Sequence, residues 1–82
     1  MIWNQTIFGT INGNHFYCGF SARCGFMISY TNTQGESKGY WPCEEDEEVL
    51  FGLYAYAITG GKSEQEVCEM IADTMRQWDY DI

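Results

Sequence analysis

Eighty-two residues with twelve Asp and Glu against four Lys and Arg make one small domain, 1–82, of net charge -8. Phosphate backbones and anionic lipid surfaces are held by clustered cations, so this balance argues against direct nucleic-acid binding and against membrane-surface binding. Hydrophobic residues at 45% and aromatic residues at 17% predict a globular chain rather than a disordered one. A core this small leaves little room for a deep cleft.

In chain order, residues 2–11 read as a strand, with Trp3, Ile7 and Ile11 on one parity and Asn4, Thr6 and Thr10 on the other. Asn12-Gly13-Asn14 is a hairpin signal, because Asn and Gly tolerate the positive φ of tight turns. A second strand is expected at about 15–22, with Phe16, Cys18, Phe20 and Ala22 on one face; Arg23 ends it. A third, about 24–31, places Cys24, Phe26, Ile28 and Tyr30 together. Thr31 to Gly39 is polar and glycine-containing and reads as a turn, after which Tyr40 and Trp41 add a short fourth strand before Pro42.

The second half reads as helical. Glu44, Glu45, Asp46, Glu47 and Glu48 suit a first helical turn, where carboxylates meet the positive end of the helix dipole. Val49, Leu50, Leu53, Tyr54, Ala57 and Ile58 follow as an apolar stripe, and Gly60-Gly61 supplies a stop. Ser63-Glu64-Gln65-Glu66 is a capping box, and Val67, Met70, Ile71, Thr74 and Trp78 form the second helix's apolar face. The expected fold is α+β: an antiparallel meander of three to four strands, N-terminal, with two antiparallel helices packed on one face, C-terminal.

The motifs that resemble catalytic ones lack the context they need. Gly35-Glu36-Ser37-Lys38-Gly39 fits the nucleophile-elbow pattern, yet no helix follows it and the sole histidine, His15, lies upstream. Gly60-Gly61-Lys62-Ser63 resembles the end of a phosphate loop, but the first glycine of that loop would fall at Tyr56, and capping explains the residues. Cys18, Cys24, Cys43 and Cys68 lack the close pairing of a zinc site and read as small core residues or reduced thiols. No enzyme activity, cofactor or metal is expected.

What remains is charge. Residues 1–35 carry Arg23 alone, whereas 36–82 hold all twelve acids and three bases, so the parts differ as +1 and -9. Such segregation predicts one electronegative face. Glu44 to Glu48 form its centre, with Glu64, Glu69 and Asp73 extending it and Tyr40 and Trp41 as aromatic anchors beside it. Small size, acidity and abundant aromatics resemble, in composition and without any shared motif, phage-encoded anti-CRISPR and anti-restriction proteins. That resemblance implies a nucleic-acid-mimicking inhibitor or decoy acting on a basic protein surface, such as a nuclease or Cas protein. The alternative is a small homo-oligomeric assembly module with no inhibitory role, dimerising through the edge of the first strand. Residues 1–6 lack a basic start and an apolar run, so a cytoplasmic setting is expected.

Overall fold

The structure, a computed structural model, describes residues 4–21 and 25–82. Trp3, Ala22, Arg23 and Cys24 lie outside the described residues. Four strands, β1 (Asn4–Ile11), β2 (Asn14–Ser21), β3 (Gly25–Thr31) and β4 (Ser37–Tyr40), pair in chain order as one antiparallel sheet. Two helices follow, α1 (Glu44–Thr59) and α2 (Glu64–Gln77). This is the meander and helix pair expected from the residue pattern.

Local chemistry sets the turns. Asn12 (φ 53°) and Gly13 (φ 79°) make the two-residue primed turn whose twist matches the β1–β2 strands, leaving Ile11 opposite Asn14. Asn32 organises the β3–β4 turn: its side-chain oxygen accepts from the backbone N–H of Gln34 and of Glu36, at 2.9 and 3.0 Å. After α1, the N–H of Gly61 bonds the Ile58 carbonyl and that of Lys62 the Ala57 carbonyl, a Schellman closure that needs the positive φ Gly61 supplies. Ser63 and Glu66 then form the reciprocal capping box that starts α2.

The fourth strand begins earlier than its sequence pattern suggested. Ser37 to Tyr40 pair with β3 (Tyr40 opposite Ile28, Ser37 opposite Thr31), so the end of the segment read as a turn is an edge strand. Its polar residues hide the alternation, since only Lys38 and Tyr40 share the inward parity of Tyr30 and Ile28.

The core lies between the sheet's inner face and the helices. Ile7, Ile11, Phe16, Cys18, Phe20, Phe26 and Ile28 come from the sheet, and Leu50, Tyr54, Val67, Ile71 and Met75 from the helices. Phe20 sits at its centre, 4.6 Å from Phe26 and 4.3 Å from Tyr54 between ring centroids. Two helical stripes differ from the periodicity reading. On α2 the buried set is Val67, Cys68, Ile71, Ala72 and Met75, with Met70, Thr74 and Trp78 at the margin. On α1 Val49 and Ile58 are exposed.

The shift on α2 has a cause in β1. Gly9 faces inward between Ile7 and Ile11, and a Cβ added there would lie 2.8 Å from Cys68 Cβ and 2.9 Å from its Sγ. Only a residue without a side chain lets α2 approach this closely, and the approach turns Cys68 and Ala72 into the contact face. It also brings Gln65 to the strand's outer edge. The Gln65 side-chain amide accepts from Thr10 N–H at 2.8 Å and donates to Thr10 C=O at 2.7 Å, the pattern of a neighbouring strand. Phe8 N–H donates to Glu64 Oε2 at 3.3 Å. The β1 edge, expected to be open for dimerisation, is thus occupied at Phe8 and Thr10 by the first turn of α2.

Candidate functional site

The acid run opens α1. Pro42 is buried, and Cys43 is extended (φ -65°, ψ 166°) with no side-chain cap, so it is the charge of the first-turn acids against the helix dipole, and not a capping bond, that favours this helix start. Glu44, Glu45 and Glu48 are exposed. Asp46 and Glu47 are half-buried and hold structure: Tyr80 Oη donates to Asp46 Oδ2 at 3.3 Å. The Glu47 carboxylate lies over Gly25, where an added Cβ would come within 2.6 Å of its oxygen.

Glu64, Glu69 and Asp73 do not continue this group. The helix hairpin sets Glu64, at the start of α2, beside the end of α1, about 24 Å from the acid run at roughly 1.5 Å per residue, whereas Glu69 and Asp73 lie on the side of α2 that lines a groove with Thr10, Ile11 and Asn12. Glu64 serves the β1 edge, Glu69 accepts from Gln65 Nε2 at 3.1 Å, and Asp73 pairs with Arg76 at 2.8 Å. The structure therefore brings the α1 carboxylates together and leaves the α2 acids as a separate row along β1.

The three described cations are paired elsewhere. Lys38 bonds Asp81 at 2.7 Å, Lys62 approaches Glu66 at 3.9 Å, and Arg76 holds Asp73 and the Ile82 carbonyl. The Lys38 partnership raises the ammonium pKa and holds the Asp81 carboxyl below its ordinary value. Among the described residues, no cation is paired with Glu44, Glu45 or Glu48.

The two aromatic residues before the acid run part company. Tyr40 points inward; its hydroxyl donates to the Asp81 carbonyl and its ring meets Tyr80 edge-on at 5.9 Å. Burial, its largest influence, raises the Tyr40 phenol pKa. Tyr40 thus fastens the C-terminal tail. Trp41, 71% exposed, lays its ring over Gly39 on the opposite side of the sheet.

That opposite side escaped the sequence reading. An open groove of about 610 Å³ runs across it, lined chiefly by Phe8, His15, Tyr17, Met27, Ser29 and Thr31. Phe8 is 62% exposed and meets Tyr17 edge-on at 5.2 Å. The signal was present in the sequence: Phe8, Tyr17 and Met27 all fall on the parity assigned to solvent.

The groups that carry most chemistry are dispersed. Cys18 and Cys68 are buried as free thiols, and burial, with Cys68 as the second cause, pushes the Cys18 thiol up. Cys43 and His15 are exposed on different parts of the fold. Among the described residues no three His, Cys, Asp or Glu side chains are grouped to hold a metal ion, and no helix is long and apolar enough to cross a membrane. No family model, no curated protein and no solved structure matches the chain.

Proposed function

We propose that this chain is a non-catalytic acidic binding protein, an inhibitor or nucleic-acid-mimicking decoy that docks on a basic protein surface. The observation that carries the reading is the N-terminal end of α1. Glu44, Glu45 and Glu48 are exposed there, while Lys38, Lys62 and Arg76 are each paired elsewhere. Carboxylates without a counterion among the described residues, on a rigid helix end, raise the local negative potential and steer a cationic partner. Trp41, just ahead of the helix, offers an exposed ring of the kind that anchors such contacts. Tyr40 is better assigned to the tail, and Glu64, Glu69 and Asp73 to β1, Gln65 and Arg76.

The test is affinity capture from a bacterial lysate with tagged protein, at low and high salt, beside a variant in which Glu44, Glu45, Glu47 and Glu48 are Gln and Asp46 is Asn. The expected result is a basic nucleic-acid-binding protein, a nuclease or Cas component among the candidates, that is captured at low salt, released as salt rises and missed by the variant. Recovery of the same partner by the variant, or of no protein but the bait, would overturn the reading.

A further inference from the structure

Among the described residues, the outer face of the sheet carries no Asp, Glu, Lys or Arg. β1, β2 and β3 contain none of them, and the one charged residue of β4, Lys38, turns inward to Asp81. A solvent-facing antiparallel sheet ordinarily alternates apolar-in with polar-out, often charged, side chains. Here the outward positions instead hold Phe8, Tyr17 and Met27 on three adjacent strands, framed by small or hydroxyl residues such as Gly19, Ser29 and Thr31. Phe8 opposes Tyr17, Met27 opposes Gly19, and the Tyr17 ring lies 3.4 Å from where a Gly19 Cβ would stand. An apolar centre inside a rim of hydroxyl residues and the exposed His15 is the anatomy of an interface between proteins.

We propose that this face is covered by a second copy of the same chain, giving a dimer layered helix–sheet–sheet–helix. The charge distribution selects that occupant. A chain of net charge -8 repels its copy unless the acids are kept apart. In the strands and helices every acid lies on α1 or α2, on the far side of the sheet. Sheets packed face to face lie about 10 Å apart, so the two helix layers sit roughly 30 Å apart, several times the ~8 Å screening length at physiological salt. The other exposed apolar strip, Val49 and Tyr56 on α1, runs beside Glu45 and Glu48, so self-association there would press carboxylates together.

The size fits as well. Two strands of 8 residues, one of 7 and one of 4 present a face of at most roughly 19 by 26 Å in plan before the relief of the side chains is counted. A stable interface needs about 800 Å² of accessible surface from each partner, the same scale. Such a dimer would leave the acidic helix ends outward for the proposed decoy function, but it would cover Trp41, whose ring lies over Gly39 on the same outer face, so the acidic end and not Trp41 would remain to meet a partner.

The experiment is sedimentation equilibrium of the tag-free chain across a concentration series, at low and moderate salt. The expected mass is twice the 9.5 kDa chain mass, with association tightening as salt rises. Met27→Glu, which desolvates an unpaired carboxylate in the interface, should weaken association by about a hundredfold or more. Phe8→Thr should weaken it while keeping a good strand former. Tyr56→Glu on α1 should leave it unchanged, and far-UV circular dichroism with urea unfolding verifies that each variant folds. A monomer at every concentration, a dimer indifferent to both sheet variants, or a dimer broken by Tyr56→Glu would each overturn the proposal. None of these readouts depends on the charge-neutralising capture experiment.

Discussion

Two glycines place opposite demands on the fold, and replacing each with alanine tests the packing of α2 with a built-in control. In an ordinary strand or helix interior, Gly→Ala stabilises by roughly 0.5–1 kcal/mol, because alanine loses less freedom on folding. Gly52 should follow that rule, since a Cβ there meets nothing within 4 Å. Gly9 should reverse it. Its added Cβ would stand 2.8 Å from Cys68 Cβ, 2.9 Å from Cys68 Sγ and 3.0 Å from Gln65 Oε1, and the first of these belongs to a helix that has to move. Displacing α2 by the tenths of an ångström needed costs about 1–3 kcal/mol by analogy with other overpacked cores. The same shift loosens the two hydrogen bonds between Gln65 and Thr10. A net loss of about 2 kcal/mol would lower the melting temperature by roughly 10 °C in a domain this small. Urea unfolding of Gly9→Ala, Gly52→Ala and Gly9→Ala/Cys68→Ala provides the measurement. The double variant should recover part of the loss, by removing the Sγ contact, but not all of it, because the Cβ remains. A Gly9→Ala chain as stable as wild type would refute the close approach of α2 to β1, and with it the reason Cys68 and Ala72 face the core.

Two further predictions concern the other devices that fix α2. Gln65→Ala leaves the Thr10 N–H and C=O at the sheet edge without their side-chain partners; it should cost about 1–2 kcal/mol in urea unfolding and raise the tendency to aggregate on heating, measured by light scattering. Glu66 is held below its ordinary carboxylate pKa, first by the Ser63 backbone N–H and then by the Ser63 hydroxyl. A carboxylate with a depressed folded value contributes stability above its unfolded pKa and loses it as pH falls through the folded one. The advantage of wild type over Glu66→Gln should therefore be full at neutral pH and shrink below pH 4.5, the ordinary value. Melting curves of both proteins from neutral to acid pH check this, and a gap independent of pH would assign the cap to neutral hydrogen bonding.

The elements that were legible are those whose local chemistry and burial agree. Phe16, Cys18 and Phe20 alternate cleanly on β2 because that strand is central and has one buried face. Ser63 to Glu66 read as a cap because the motif is self-contained. β4 was misplaced because an edge strand of 4 residues needs few apolar positions, and its pairing with β3 is not written in its own residues. The α2 stripe was displaced for a similar reason. Periodicity locates an apolar face only to within a residue or so. The final rotation of α2 is fixed by Gly9, which meets Cys68 and Gln65 from the other end of the chain and belongs to no local pattern with them.

The candidate site divides along the same line. The acid run was legible because five consecutive carboxylates stand out in any context, and their place at the start of α1 follows from the dipole. Its expected extension to Glu64, Glu69 and Asp73 was not legible, because charge alone does not say which end of a helix hairpin or which side of a helix a residue occupies. Tyr40 and Trp41 are neighbours in the chain, yet Tyr40 ends β4 and faces the tail, while Trp41, just past the strand, lays its ring over Gly39 on the other side of the sheet. The outer sheet face was hidden by a convention: once Ile7, Phe16 and Ile28 are assigned inward, the opposite parity is given to solvent by default. Phe8, Tyr17 and Met27 contradict that default, and so does the absence of Asp, Glu, Lys and Arg across three strands. An 82-residue chain in which 20% of residues are charged has enough charged side chains to solvate a sheet face, and it keeps nearly all of them in its helices and connections instead. The segregation of charge between two halves of the sequence is therefore a difference between two layers of the fold, and a neutral layer with an apolar centre is the one along which two such acidic chains can meet.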